Sequence, residues 1–167
     1  MTELRGERVL LRPLTAEDVP AVAAIQAQPG VASRWGEPDE ADLRGKAVGT
    51  DEVTAFAIDL DGELVGLIQY HEEGDPMYRH AGIDLFLSEH VHGRGLGTDA
   101  VSTMARHLID DRGHHRLVID PAADNHAAIR AYEKVGFRPV GVMRQYERLP
   151  GGEWHDGLLM DLLADEL

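Results

Sequence analysis

Apolar residues recur along this chain at alternate positions, then at helical spacing, then at alternate positions again, and each switch marks an element. Residues 8–12, RVLLR, read as a short strand that Pro13 ends. Thr15 then caps a helix predicted over 16–28, with Asp18 three places on as its capping partner and Val19, Val22 and Ile25 as its apolar stripe. Pro29-Gly30 is expected to stop that helix, leaving Trp35 in a loop and a short helix over 39–48. Strands over 54–60 and 64–72 flank Asp61-Gly62, a strong hairpin signal, and a loop over 72–80 leads into a strand at 81–87. A long helix follows over 98–112, burying Val101, Met104, Ala105, Leu108 and Ile109, and Gly113 closes it. A strand over 116–120, a polar turn, and a helix over 127–135 capped by Asn125 and stopped at Gly136 come next. Residues 138–148 and 154–163 form a last strand pair. Hairpins first and βαβ units later predict one α/β domain over 1–167. Its sheet is expected to be mostly antiparallel with a parallel central pair, and helices on both faces.

Between the strand at 81–87 and the long helix lies His92-Gly93-Arg94-Gly95-Leu96-Gly97. Glycines there permit positive φ and close approach of a ligand, so several main-chain N–H groups can converge on one phosphate. The helix behind adds its unpaired first-turn donors and the positive end of its dipole. Gly97 is followed by Thr98-Asp99 rather than a Lys-Ser or Lys-Thr pair, so the mononucleotide P-loop fails. GxGxG also fits the dinucleotide fingerprint poorly. A pyrophosphate site of another kind remains.

Composition narrows the partners. Sixteen basic side chains face thirty acidic ones, a formal net charge of −14. That balance argues against nucleic acid, which needs Lys and Arg to neutralise phosphates, and favours a cationic small molecule or peptide. Glu37, Asp39, Glu72, Glu73, Asp75 and Asp156 are candidates for an acidic rim. No apolar run approaches the roughly 20 residues that span a bilayer, and the N-terminus carries no secretion signal. A soluble, cytoplasmic protein without membrane partners is expected. Without cysteine there is no disulfide framework and no thiol nucleophile. Nine scattered histidines with no HExxH pattern give no metal site.

The glycine loop and a second stretch, NHAAIRAYEKVGF over 125–137, together resemble the GNAT superfamily of acyl-CoA-dependent N-acyltransferases. His92–Gly97 matches its Gln/Arg-x-x-Gly-x-Gly/Ala motif, with His92 in place of the usual Gln or Arg. Residues 125–137 match N-x-x-A-x-x-x-Y-x-x-x-G-F. LRPLTAEDV with the later Trp35-Gly36, DP…R…GID over 75–84, and Asp120-Pro121 are similar to bacterial aminoglycoside 6'-N-acetyltransferases. The resemblance implies a GNAT fold, a twisted sheet of about seven strands with about four helices, acting as monomer or homodimer. It implies acetyl-CoA held by His92, Gly93, Arg94, Gly95, Leu96, Gly97, Thr98 and Asn125. A strand bulge near Phe86 and Leu87 would free an N–H for the thioester carbonyl. The tail, RQYERLPGGEWHDGLLMDLL, is similar instead to relatives acting on peptide N-termini or polyamines.

The chemistry so implied has three needs. An amine of pKa about 10.4 must lose a proton before it can attack. Asp84 or Asp120, each closing a strand segment, is the candidate base, although Asp120 before Pro121 also suits a plain turn. The oxyanion needs a fixed donor, worth roughly 3 kcal/mol. The thiolate needs an acid, and the resemblance assigns that role to Tyr132, two turns into the helix from Asn125. Trp35, Glu72, Asp75, Asp84 and Asp120 are the expected acceptor-binding residues. Trp35 either walls the cleft or packs over a core edge. Rival readings are a non-catalytic module binding acyl-CoA or a cationic drug, and a nucleotide-binding Rossmann-like enzyme.

Overall fold

A computed structural model describes residues 2–167. One sheet runs through them, built from β1 (Leu4–Arg5), β2 (Val9–Pro13), β3 (Thr54–Leu60), β4 (Glu63–Glu73), β5 (His80–Leu87), β6 (Arg116–Ile119), β7 (Arg138–Arg148) and β8 (Trp154–Leu163). Its order is β1-β2-β3-β4-β5-β6-β8-β7, antiparallel throughout except for β5 against β6. The helices are α1 (Val19–Gln26), α2 (Pro29–Trp35), α3 (Glu40–Val48), α4 (Leu96–Arg106) and α5 (His126–Val135). The expected mixed sheet with its parallel centre is therefore present. Eight strands replace about seven because β1 pairs only Leu4 and Arg5 with Leu11 and Leu10, too short a stretch to leave a period.

Strand alternation sorts the core into two layers. Ala55, Ala57, Leu67 and Phe86 face α1–α3, packing with Val19, Val22, Ile25 and Leu43. Phe56, Ile58, Ile68, Tyr70, Ile83 and Leu117 point to the other face, under Val101, Met104 and Leu108. Full burial of side chains of this size contributes about 1.5–3 kcal/mol each.

Two helix expectations change. Pro29 does end α1, but it occupies the first turn of α2, where its missing N–H costs nothing and its fixed φ suits a helix. Trp35 is consequently the last residue of α2 rather than a loop residue. The long helix starts earlier, at Leu96, and its final turn widens over His107–Asp111 into a π-turn, with His107 set edge-on to Phe56.

Half-buried ion pairs and caps fix the periphery. Thr15 donates both its N–H and its hydroxyl to Asp18, which also accepts from Arg12, and Arg12 reaches Asp59 on β3 at 2.7 Å. Asp99 on α4 takes the backbone N–H groups of Glu7, Arg8 and Val9 at 2.8–2.9 Å, stapling the N-terminal strands to the helix behind the glycine loop. No helix among the described residues is long and apolar enough to cross a membrane.

Burial raises the Asp99 carboxyl, but the three backbone donors outweigh it and hold it below the usual value of 3.8. Its contribution to stability is therefore present above that value and fades as pH falls through the lowered one. Asp99→Asn is expected to lose about 1.5–3 kcal/mol at pH 7. Chemical denaturation at pH 7 and at pH 3 checks this, with the gap from wild type closing at the lower pH.

Candidate active site

β5 and β6 pair at only two positions, Ala81 with Leu117 and Gly82 with Val118. Beyond them β5 continues along β4 to Leu87, while the chain after β6 follows β8. Leu158 donates to the Pro121 carbonyl at 2.9 Å, and Ala122 bridges Gly157. The central parallel pair thus splits open, and the amides of β5 facing the gap have no ladder partner. This corrects the expected bulge near Phe86 and Leu87. The β4–β5 register is unbroken from Glu73/His80 to Gly66/Leu87, and the nearest irregularity lies between β3 and β4, at Ile58/Asp59. Divergence, not a bulge in β5, exposes the donors.

On one side of the split lies a groove of about 880 Å3, walled by α2, the end of β5, the glycine loop and α5. Gly93 and Gly95 adopt φ of +74° and +77°, and Gly95 caps α4. A left-handed conformation costs other residues roughly 1–2 kcal/mol, hence the glycines. His92 closes the loop from below. Its Nε2 sits 2.9 Å from the Leu87 carbonyl, which can only accept, so that nitrogen carries the proton. Arg8 donates to the Arg94 carbonyl, pinning the loop from the outside. The Arg94 side chain itself is exposed and forms no part of the groove wall, whose cations are Arg34, Arg130 and Lys134. The Thr98 hydroxyl donates to the Ala131 carbonyl at 3.3 Å, joining α4 to α5, and the Asn125 side chain accepts from the Ala128 N–H. Loop amides, helix dipole and flanking cations suit this groove to an anion.

On the other side lie two connected hollows of about 590 and 340 Å3. Asp84 projects from β5 on the same face as Phe86, hence toward α1–α3, and these helices leave that part of the sheet open. Asp120 ends β6 across the split. Desolvation first, then the Asp120 charge, push the Asp84 carboxyl up to about 6. Tyr132 reaches the seam from α5, lining both the anion groove and the smaller hollow. Burial, with Asp84 and Asp120 nearby, raises its hydroxyl well above the ordinary phenol value.

Other expected acceptor residues are distributed differently. Trp35 meets both alternatives, packing edge-on against Phe86 at 4.9 Å and walling the groove and the smaller hollow. Glu72 is engaged elsewhere. Arg112 and His114 hold it at 2.7 and 2.6 Å, and the Arg112 contact chiefly lowers its pKa, so it is an internal clamp, not an acidic rim. Asp75 accepts from the Met77 N–H within its own loop, and Asp39 caps α3 by accepting from Ala41 and Asp42.

Five cleft residues have no counterpart in the sequence expectations. Tyr146 donates to Asp120 at 2.7 Å, and that bond first, then burial, pushes its phenol up to about 12. Glu147, raised mainly by burial and then by Asp120, adds a third carboxylate. Trp154 walls the larger hollow and His71 closes it from β4. Gln69, 7% exposed, lines the smaller hollow with an Oε1 that has no partner. Tyr146 and Glu147 face the cleft because the β7–β8 register slips between Met143 and Glu147. Gln145 takes φ +48° and donates its N–H to Asp156 there. Gly157 makes room, since a Cβ on it would stand 2.9 Å from the Tyr146 ring. Asp156-Gly157 in an otherwise regular strand was the available signal.

Known proteins resemble this chain in sequence and fold. A 28% identical relative, the spermidine N(1)-acetyltransferase of Escherichia coli (strain K12), aligns over 91% of this chain and 84% of its own length. The aminoglycoside N(6')-acetyltransferase type 1 of Klebsiella pneumoniae is 29% identical, over 83% of this chain and 78% of its own. The structure of AAC(6')-Ib in complex with paromomycin and acetyl-CoA superposes with a TM-score of 0.78 at 26% identity, covering 96% of each chain. The family model of the acetyltransferase (GNAT) domain matches residues 8–138, and the chain belongs to that family.

Proposed function

We propose that this N-acetyltransferase moves the acetyl group of acetyl-CoA onto a primary amine of a small polycation of the aminoglycoside kind, by direct attack in a ternary complex. The observation that carries this is the meeting of an anion groove and a carboxylate-lined cleft at the β5–β6 split, with Tyr132 and Asp84 at the seam. The coenzyme pyrophosphate lies against the amides of His92 to Thr98, flanked by Arg130 and Lys134. The pantetheine arm runs past Asn125 between β5 and α5. The thioester carbonyl meets the free amides of β5 between Leu85 and Leu87, which are fixed by the β4 ladder and need no reorganisation as charge develops.

Ammonium groups of the acceptor are drawn by Asp84, Asp120 and Glu147, and apolar faces of its rings rest on Trp35 and Trp154. Asp84 is the base. Its raised pKa keeps it anionic at neutral pH while making it a better proton acceptor than an ordinary aspartate. Asp120 is spent on the Tyr146 hydroxyl and sets the charge that raises Asp84. Tyr132, kept neutral by burial, protonates the departing thiolate and recovers a proton from the amide nitrogen.

The Escherichia coli relative favours one second reading, a linear polyamine acceptor. Thiol release from acetyl-CoA with aminoglycosides, polyamines and N-terminal peptides separates these. The reading expects aminoglycosides to give the highest kcat/KM, and no turnover with any amine would overturn it.

Tyr132→Phe is expected to lower kcat about 100-fold or more with KM for acetyl-CoA nearly unchanged, as steady-state kinetics would show. Wild-type kcat should rise with pH through about 6 as Asp84 ionises. The same raised carboxyl favours the fold at low pH and loses that advantage as pH rises through about 6. Asp84→Asn is accordingly expected to be inactive yet to melt higher than wild type at pH 7.5. Calorimetry at pH 7.5 and 5 should show that difference shrinking at the lower pH.

A further inference from the structure

The proton taken from the amine must leave a carboxylate that the fold shields from water. Acetyl transfer from a thioester to an ammonium releases one net proton. The ammonium gives up one proton before attack, and a second, lost from nitrogen afterwards, ends on the thiol by way of Tyr132. Asp84, holding the first, is ready for another turnover only when that proton has gone elsewhere.

One titratable side chain of the neighbouring strand lines the same hollow as Asp84 and is itself exposed. On β4, His71 is the cross-strand partner of Gly82, and Gln69 is the partner of Asp84, so all four share the face that looks into the cleft. The His71 imidazole lies flat over Gly82, the position just before Asp84 on that face. A Cβ on Gly82 would sit 2.1 Å from Cε1 of the ring and 2.7 Å from its Nε2. Any other residue at 82 would evict the imidazole, so the glycine is a seat for it. Gly82 is positioned where β5 last touches β6, at the closed end of the split. His71 is exposed on its outer side and lines the larger hollow together with Asp84.

We propose that His71 is the proton outlet of the acceptor site: it takes from Asp84 the proton surrendered by the amine and delivers it to solvent. The step balances without a further reactant. The carboxylic O–H of Asp84 breaks, an imidazole N–H forms, and the imidazolium then loses a proton to buffer or water. Imidazole suits the task because its two nitrogens can receive a proton on one side and release it on the other near neutral pH. The groups facing it are Asp84 and His80 from β5, Asp120 from β6, and Tyr146, Glu147 and Arg148 from β7, with Glu73 two places on along β4 and Lys46 of α3 acting on Asp84. His71 acts through Asp84 and is a positioning and relay residue rather than one that touches the reacting atoms.

This inference rests on the acetyl-transfer reading. The test is steady-state and buffer-dependent kinetics of His71→Gln, with whichever amine the wild type turns over. Melting temperature and coenzyme A binding should match wild type, showing an intact fold. In dilute non-basic buffer at pH 7, kcat is expected to fall on the order of tenfold or more, with acceptor KM little changed. Added imidazole should restore much of the loss in the variant and do nothing for the wild type. A kcat equal to wild type from pH 6 to 9, a loss confined to KM, or a loss that no buffer base relieves would each overturn the relay while leaving acetyl transfer standing. A wild type inert toward every amine would remove the acetyl-transfer reading, and the relay with it.

Discussion

The site depends on a parallel strand pair that is allowed to be only two residues long. A ladder continued to Leu87 would satisfy every amide on β5 and leave nothing to polarise a carbonyl. Instead the backbone after Ile119 is claimed by β8 through Pro121 and Ala122, and β5 is left with one paired edge and one bare one. The paired edge supplies rigidity and the bare edge supplies donors. Both properties come from the same strand, so the donors are fixed in place without any loop being asked to hold still.

Around that opening the two halves of the site are built by different means. The anion groove is a backbone device, made of amides presented by positive-φ glycines and a helix end, with His92, Arg8 and Asp99 holding the loop from three directions. The cleft is a side-chain device, in which burial first and the crowding of Asp120 second push the Asp84 carboxyl up to about 6. Crowding of that kind destabilises the fold, and the two apolar layers above and below the sheet offset it.

Most of the architecture was legible in the order of residues, because amphipathic periods and turn dipeptides act locally. The Asp61-Gly62 hairpin, the Asn125 cap and the Gly136 stop sit where the pattern puts them. The shape of the glycine loop was legible as well, since φ near +75° is costly for any other residue. What escaped was non-local. Nothing near Glu72 foretells Arg112 and His114, forty residues away, so a clamped carboxylate reads like a free one. Alternation assumed along β7 hides Tyr146 and Glu147, because two extra residues leave the ladder between Met143 and Glu147. His71 looks like an ordinary strand residue until the empty space over Gly82 is seen. Pro29 misled in another way, being equally good at ending one helix and opening the next.

The hydrogen bond from Tyr146 to Asp120 ties the last hairpin to the cleft, yet that hairpin contributes nothing to the walls of the groove beside the glycine loop. Its tip, from Leu149 to Glu153, lies at the margin of the sheet, where residues can be exchanged, added or removed without disturbing the glycine loop. The hairpin's share of the cleft, Tyr146, Glu147 and Trp154, is thereby free to vary while the groove and the cleft residues Trp35, Asp84 and Asp120 stay as they are.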